Sequence, residues 1–190
     1  TFDLAQATAL YFDTQGGNNN FSWTLTGSAG TVYTRGFSAS DSAELGNANP
    51  LLKLAAGSYT LTVNGNVDTI GAYAFRLRNP RAEATAIGLS TAISGTLDPA
   101  RETDFYKFDA VAGERFFFDP LTVTSRGNLT YRLIDPNGEQ VWGRYILSDN
   151  QDTSTFALTG SYLLMVEGRI GNTAETNAYS FNVQKVSDLA

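Results

Sequence analysis

A chain with no histidine and no cysteine must do any chemistry with carboxylates, hydroxyls, amides, arginine and aromatic rings. Thiol nucleophiles, disulfides, Cys/His zinc sites and histidine general bases are all excluded together. Among the acids, Glu102 and Asp104 precede an apolar run, whereas Asp3, Asp13, Asp109 and Asp119 end one. A carboxylate-pair hydrolase needs two such groups facing each other a few ångströms apart. Acids at strand ends more commonly bond nearby backbone N–H groups, and that is their expected role here. The pairs Asp41/Glu44 and Asp149/Asp152 recur on loops. Calcium takes six to eight oxygen ligands, so two carboxylates per loop fall short, and no EF-hand or Gly-rich Asp nonapeptide occurs. They are expected to be solvated turn residues. No cofactor is expected, with calcium the one metal the loop acids leave open.

The aromatic candidate is Val141-Trp142-Gly143-Arg144-Tyr145. Trp142 and Arg144 share one face of a strand, and Trp with Arg serves recognition by stacking and planar hydrogen bonding. Trp142, Arg144 and Tyr145 are therefore the candidate ligand-binding residues. The alternative is that Trp142 fills a core and Arg144 lies over its rim. Tyr33, Arg35 and Phe37 stand in the corresponding region earlier in the chain, with Arg35 one step from the position matching Arg144. No GxxxxGK[ST] occurs, and Gly127, Gly138 and Gly143 form no phosphate-binding pattern.

The elements that must carry these residues are strands. Gly57-Ser58-Tyr59-Thr60-Leu61-Thr62-Val63-Asn64-Gly65 and Gly160-Ser161-Tyr162-Leu163-Leu164-Met165-Val166-Glu167-Gly168 are one phrase written twice. Tyr, Leu and Val alternate in both and so point to one side. Thr60 and Thr62 predict a wetted second face in the first copy, whereas Leu163 and Met165 predict a strand covered on both faces. Phe2-Asp3 and Phe12-Asp13 are echoed by Phe108-Asp109 and Phe118-Asp119, and Phe21–Leu25 by Leu129–Leu133. The turns Gly27–Gly30 and Asp135-Pro136-Asn137-Gly138 close matching hairpins. Tyr73/Phe75 and Tyr179/Phe181 close the copies, with the phenylalanines expected inside and a tyrosine capping an edge. No long helix is expected, since Ala5–Leu10 and Pro80–Ala86 are too short to stand alone.

Length, composition and charge agree with this. The 190 residues are 42% hydrophobic and 12% aromatic, enough for one large or two small β-rich domains. Charged residues make up only 17%, so the surface must lean on Ser, Thr, Asn and Gly. A net charge of −6 with scattered cations argues against nucleic acid, which needs clustered Lys and Arg. No apolar run reaches the roughly 18–20 residues of a membrane span. The start at Thr1 is expected for a piece of a longer protein.

The fold class expected is all-β: two tandem antiparallel, jelly-roll-like β-sandwiches. Residues 1–79 form the first copy, 80–91 a linker and 92–190 the second. The strands predicted at Ala92–Leu97 and Asp104–Phe108 have no counterpart in the first copy except Phe2, so that copy lacks its first strands.

The ordered set Ile93-Ser94-Gly95-Thr96-Leu97, Glu102–Phe108, Ala112-Gly113-Glu114, Leu133–Gly138, Gly160-Ser161-Tyr162 and Tyr179-Ser180-Phe181 resembles the bacterial pre-peptidase C-terminal domain family. The resemblance spans residues 93–183, and in the first copy runs from the second strand onward. It implies a non-catalytic β-sandwich of secreted or cell-surface bacterial proteins, some members binding polymers and some carrying calcium. The function so implied is adhesion or attachment to a glycan, polymer or matrix protein, with other domains of a longer chain as partners. A ligand-free spacer and a carboxylate-pair hydrolase are the alternatives.

Overall fold

The structure is a computed structural model that describes residues 1–16, 20–41, 43–46, 48–124, 127–145 and 151–186, with the side chains at 43, 144, 145, 151 and 152 outside the description. The first half contains β1 (Phe2–Leu4), β2 (Thr8–Gly16), β3 (Phe21–Gly27), β4 (Gly30–Gly36), β5 (Leu51–Leu54), β6 (Gly57–Gly65) and β7 (Ala74–Arg78). A one-turn helix α1 (Pro80–Glu83) and the two-residue β8 (Thr85–Ala86) follow. The second half contains β9 (Ala92–Leu97), β10 (Thr103–Ala110), β11 (Arg115–Val123), β12 (Leu129–Ile134) and β13 (Gln140–Tyr145). It ends with β14 (Gln151–Thr155), β15 (Gly160–Gly168) and β16 (Asn177–Val186). The protein is all-β, and every strand pair is antiparallel except β8 against β10.

Two sheets make up each half. The orders β1-β6-β3-β4 and β5-β2-β7 in the first correspond to β10-β15-β12-β13 and β14-β11-β16 in the second. The second half adds β8 beside β10 and β9 beside β16. Each pair of sheets encloses its own core. One holds Leu10, Phe12, Trp23, Leu25, Phe37 and Leu52; the other holds Phe108, Phe118, Tyr131, Tyr162, Leu164 and Phe181.

Equivalent residues do equivalent work. Tyr59 stacks on Phe2 at 5.6 Å and 22°, and Tyr162 on Phe108 at 6.0 Å and 14°. The Tyr59 hydroxyl donates to the carbonyl of Ala55 and that of Tyr162 to Leu158, each at 3.0 Å. Gly57 and Gly160 open their strands at φ +147° and +146°, a region that disfavours any residue with a Cβ. At the Asp135–Gly138 turn, Gly138 takes φ +77°, and its N–H donates to the Asp135 carbonyl at 3.0 Å.

A third cluster joins the halves. Tyr11, Leu51, Phe105, Ile134, Leu163 and Met165 pack together, so sheet β5-β2-β7 lies on the outer face of β12-β15-β10. Strand alternation explains it: Leu10 and Phe12 point into the first core while Tyr11 points into the seam. Leu163 and Met165, alternating with Leu164 and Val166, do the same from β15. The cover expected over β15 is thus the first half of the chain, and the four sheets stack in four layers. Burying each such aliphatic side chain stabilises by about 1.5–3 kcal/mol. Within 80–91 the chain is structured: Asn79 caps α1, with its side chain accepting from the Ala82 N–H, and β8 extends the sheet beyond β10.

Candidate functional site

β13 is the outermost strand of its sheet. Trp142 sits opposite Leu133 in the register and therefore on the core-facing side. Its indole packs 5.2 Å from the Phe118 ring at 55°, over an apolar crevice lined also by Phe116, Leu133 and Phe156. Trp142 is half-buried, one side on the core and the rest at the rim. Arg144 and Tyr145 continue the strand opposite Tyr131 and Thr130, while their side chains lie outside the described residues.

The register also aligns the earlier aromatic run. Arg35 opposes Trp23 as Arg144 opposes Tyr131, and Tyr33 opposes Leu25 as Trp142 opposes Leu133. The one-step offset seen in the sequence is absent once the strands are paired. Arg35 lies 5.6 Å from the Tyr33 ring centroid and donates to the carbonyls of Asn49 at 3.0 Å and Pro50 at 3.4 Å. Its guanidinium ties down a loop, and Phe37 is wholly buried.

The loop acids depart from expectation. Asp41 is not a solvated turn residue. It is 3% exposed and accepts from the Thr14 N–H at 2.5 Å, because the loop folds inward over β2. Glu44 is ion-paired with Arg169 at 2.6 Å. Asp149 lies outside the described residues, as does the Asp152 side chain. Among the described residues, no three acids gather closely enough to hold a metal ion.

Of the strand-flanking acids, Glu102 accepts from a backbone N–H as expected, whereas Asp3, Asp104 and Asp119 accept from side chains. Glu102 accepts from the Asp98 N–H at 3.0 Å, Asp119 from Gln184 at 3.1 Å, Asp3 from Ser58 at 2.5 Å and Asp104 from the Tyr179 hydroxyl at 2.5 Å. Tyr179 is thereby buried and does not cap an edge; Tyr73, its counterpart, is half-exposed. Burial pushes the Asp13 carboxyl up to about 6, with Arg78 and Arg76 pulling it back. Asp41 is raised in the same direction by burial. A raised carboxyl suits general acid catalysis, yet Asp13 is 0% exposed and no substrate reaches it.

The most elaborate polar constellation is one that sequence reasoning missed, and it lies in the seam. Arg132 and Glu167, both 0% exposed, are paired at 3.1 Å. Arg132 also donates to the carbonyls of Gly46 and Ala48, each at 3.2 Å, and to the Gln140 side chain. The Tyr11 hydroxyl donates to Glu167 at 3.2 Å and shares a 3.0 Å hydrogen bond with Thr103. Burial, then the nearby Glu167, Asp41 and Asp13, hold Tyr11 well above its ordinary range, so it remains a donor. Gly143 stands opposite Arg132, and a Cβ there would come within 3.3 Å of the guanidinium. The clue was a charged pair on strands otherwise rich in apolar residues. Around it, Arg81 donates to the Ser161 carbonyl at 3.0 Å and to that of Asp135 at 2.5 Å. Arg78 reaches the Thr103 carbonyl at 2.5 Å, and Lys53 pairs with Glu139. This constellation binds one half of the chain to the other.

Among the described residues, no helix is long and apolar enough to cross a membrane. No family model matches the chain, and no curated protein matches it. Among solved structures it is similar to PliG of Aeromonas hydrophila, a periplasmic inhibitor of g-type lysozyme, at 15% identity and TM-score 0.42, over 53% of this chain and 96% of the other. PliG of Salmonella Typhimurium gives 16% and 0.42, over 55% and 98%. The pre-peptidase C-terminal domain of a Bacillus anthracis collagenase gives 24% and 0.40, over 54% and 95%. About half of this chain thus accounts for nearly all of each neighbour.

Proposed function

We propose that the chain is a non-catalytic module of a larger secreted or cell-surface bacterial protein, built of two tandem pre-peptidase C-terminal-like sandwiches and serving attachment to a polymer, glycan or matrix protein. The observation that carries this is the disposition of its acids. The carboxyl best suited by its raised pKa to general acid work, Asp13, is sealed from solvent, and Asp3, Asp104 and Asp119 are each hydrogen-bonded to another side chain. The β13 rim offers a recognition surface, where Trp142 is half-buried and Arg144 and Tyr145 follow in register. Such a module needs no cofactor, and melting curves with calcium and with EDTA are expected to coincide.

A glycan and matrix-protein binding array, run with wild type and Trp142→Ala, tests this directly. Binding that falls at least tenfold in the variant, with the melting temperature kept within a few degrees, supports attachment through this rim. A second reading, a rigid spacer holding other domains apart, is favoured by the buried seam, which would fix the two sandwiches at a set angle. Absence of any bound species on the array would favour it. Hydrolysis of a glycan panel, abolished by Asp13→Asn, would instead revive the carboxylate-pair enzyme.

A further inference from the structure

Beside the buried seam, where the two halves meet the solvent, lies a groove of about 400 Å³. One wall is the start of β2 and the end of β5, with Thr8 opposite Leu54 and Ala9 opposite Lys53. The other is Arg81 of α1 and the Pro136-Asn137-Gly138 corner of the β12–β13 turn. Both walls are held in place. Asn49 donates to the Gly138 carbonyl at 2.7 Å, and Pro136 packs onto Gly160, where a Cβ would come within 2.9 Å of its ring. The short side chains of Ala7, Ala9 and Ala55 keep the space between the walls open.

The charge gathered here runs against that of the chain. The net charge is −6 and there are only three lysines, yet two of them stand beside Arg81. Lys53 lines the groove, and Lys107 donates to the Arg81 carbonyl at 3.5 Å. Arg81 gives N–H groups to the Asp135 and Ser161 carbonyls, two of the five that a guanidinium carries. Among the described residues, neither Arg81 nor Lys107 forms an ion pair. Burial lowers the Arg81 pKa, and the nearby Asp135 offsets this only in part; the Asp135 carboxylate is itself bonded to the Glu139 N–H at 2.8 Å. Lys53 does pair with Glu139, but both side chains are largely exposed, and such a pair holds little energy.

We infer that this groove binds an acidic oligosaccharide, with the carboxylate of a uronate unit received by Arg81 and Lys53 and the C–H face of its ring laid against Ala7, Ala9 and Pro136. The occupant's charge follows from the cations, since a guanidinium fork matches a carboxylate in geometry as well as sign. Its kind follows from the lining. Thr8 and Asn137 offer a hydroxyl and an amide to sugar hydroxyls, and no lining residue is aromatic. The volume is within the range of small-molecule sites. Such a site rests on the attachment reading and gives it a ligand class, yet uses no residue of β13.

Isothermal titration calorimetry of the whole chain with tri-galacturonate tests it. Saturable binding at one site per chain is expected, weakening as salt is raised. The methyl ester, which has the same rings without the charge, should bind at least ~10-fold more weakly. Arg81→Met should lose as much. So should Ala7→Trp, which fills the groove from an exposed position and leaves both Arg81 hydrogen bonds in place. Trp142→Ala should bind tri-galacturonate as wild type does, so a failure of the β13 rim and a failure of this groove are told apart. Each of the following would overturn the site: no saturable binding, equal affinity for the methyl ester or for tri-glutamate, unchanged affinity in Ala7→Trp, or affinity lost in Trp142→Ala.

Discussion

At the scale of single residues, the energetics concentrate in groups buried with their charges. Asp13 has a folded-state pKa of about 6, above the ordinary Asp value, so between about pH 4 and pH 6 the folded chain holds a proton that the unfolded chain has released. Its contribution therefore favours the fold at low pH and is lost as pH rises through that window, by on the order of 3 kcal/mol. Asp13→Asn, which cannot ionise, is expected to flatten this part of the profile and to raise stability at pH 7, as urea melts at pH 4 and pH 7 would show. Parallel profiles for variant and wild type would refute it. The Arg132–Glu167 pair obeys a different rule. Removing one partner strands a buried charge, so Arg132→Met alone should cost about 3–5 kcal/mol. Arg132→Met with Glu167→Leu should recover part of that loss, because no uncompensated charge is left.

At the scale of elements, the duplicated Gly-Ser-Tyr strand was legible because its glycines, its period and its tyrosine repeat together. Tyr59→Phe deletes one hydroxyl-to-carbonyl bond of 3.0 Å, and Tyr162→Phe deletes its counterpart together with a 3.3 Å bond accepted from the Leu158 N–H. Tyr59→Phe is expected to cost about 1 kcal/mol and Tyr162→Phe up to about 2 kcal/mol, and thermal melts in which Tyr59→Phe costs the more would deny the correspondence. The hairpin turns were legible too, since Asp-Pro-Asn-Gly leaves the chain few other conformations. The fate of Asp41 was not. Acids on a polar loop read as solvated, and only the tertiary fold brings Asp41 to the Thr14 N–H. Which tyrosine caps an edge was not legible either. It is Tyr73, because Asp104 and Tyr106 supply partners for the Tyr179 hydroxyl within the sandwich, and these lie on a strand distant in sequence.

At the scale of the molecule, the second face of β15 announced that something covers Leu163 and Met165, and local periodicity has no means of naming a partner 150 residues away. The cover is β2 and β5, locked by Arg132, Glu167, Tyr11 and Thr103. Leu163→Ala in this seam should cost about 2–5 kcal/mol, whereas Leu61→Ala on the half-open β6 should cost clearly less, as chemical melts would measure. Through this seam the two sandwiches form one rigid body. Backbone amide residual dipolar couplings in a weakly aligning medium test it most directly. Couplings from residues 2–78 and from residues 92–186 should fit a single alignment tensor with common magnitude and axes. Two tensors of different magnitude, one for each sandwich, would show independent motion and contradict the buried seam.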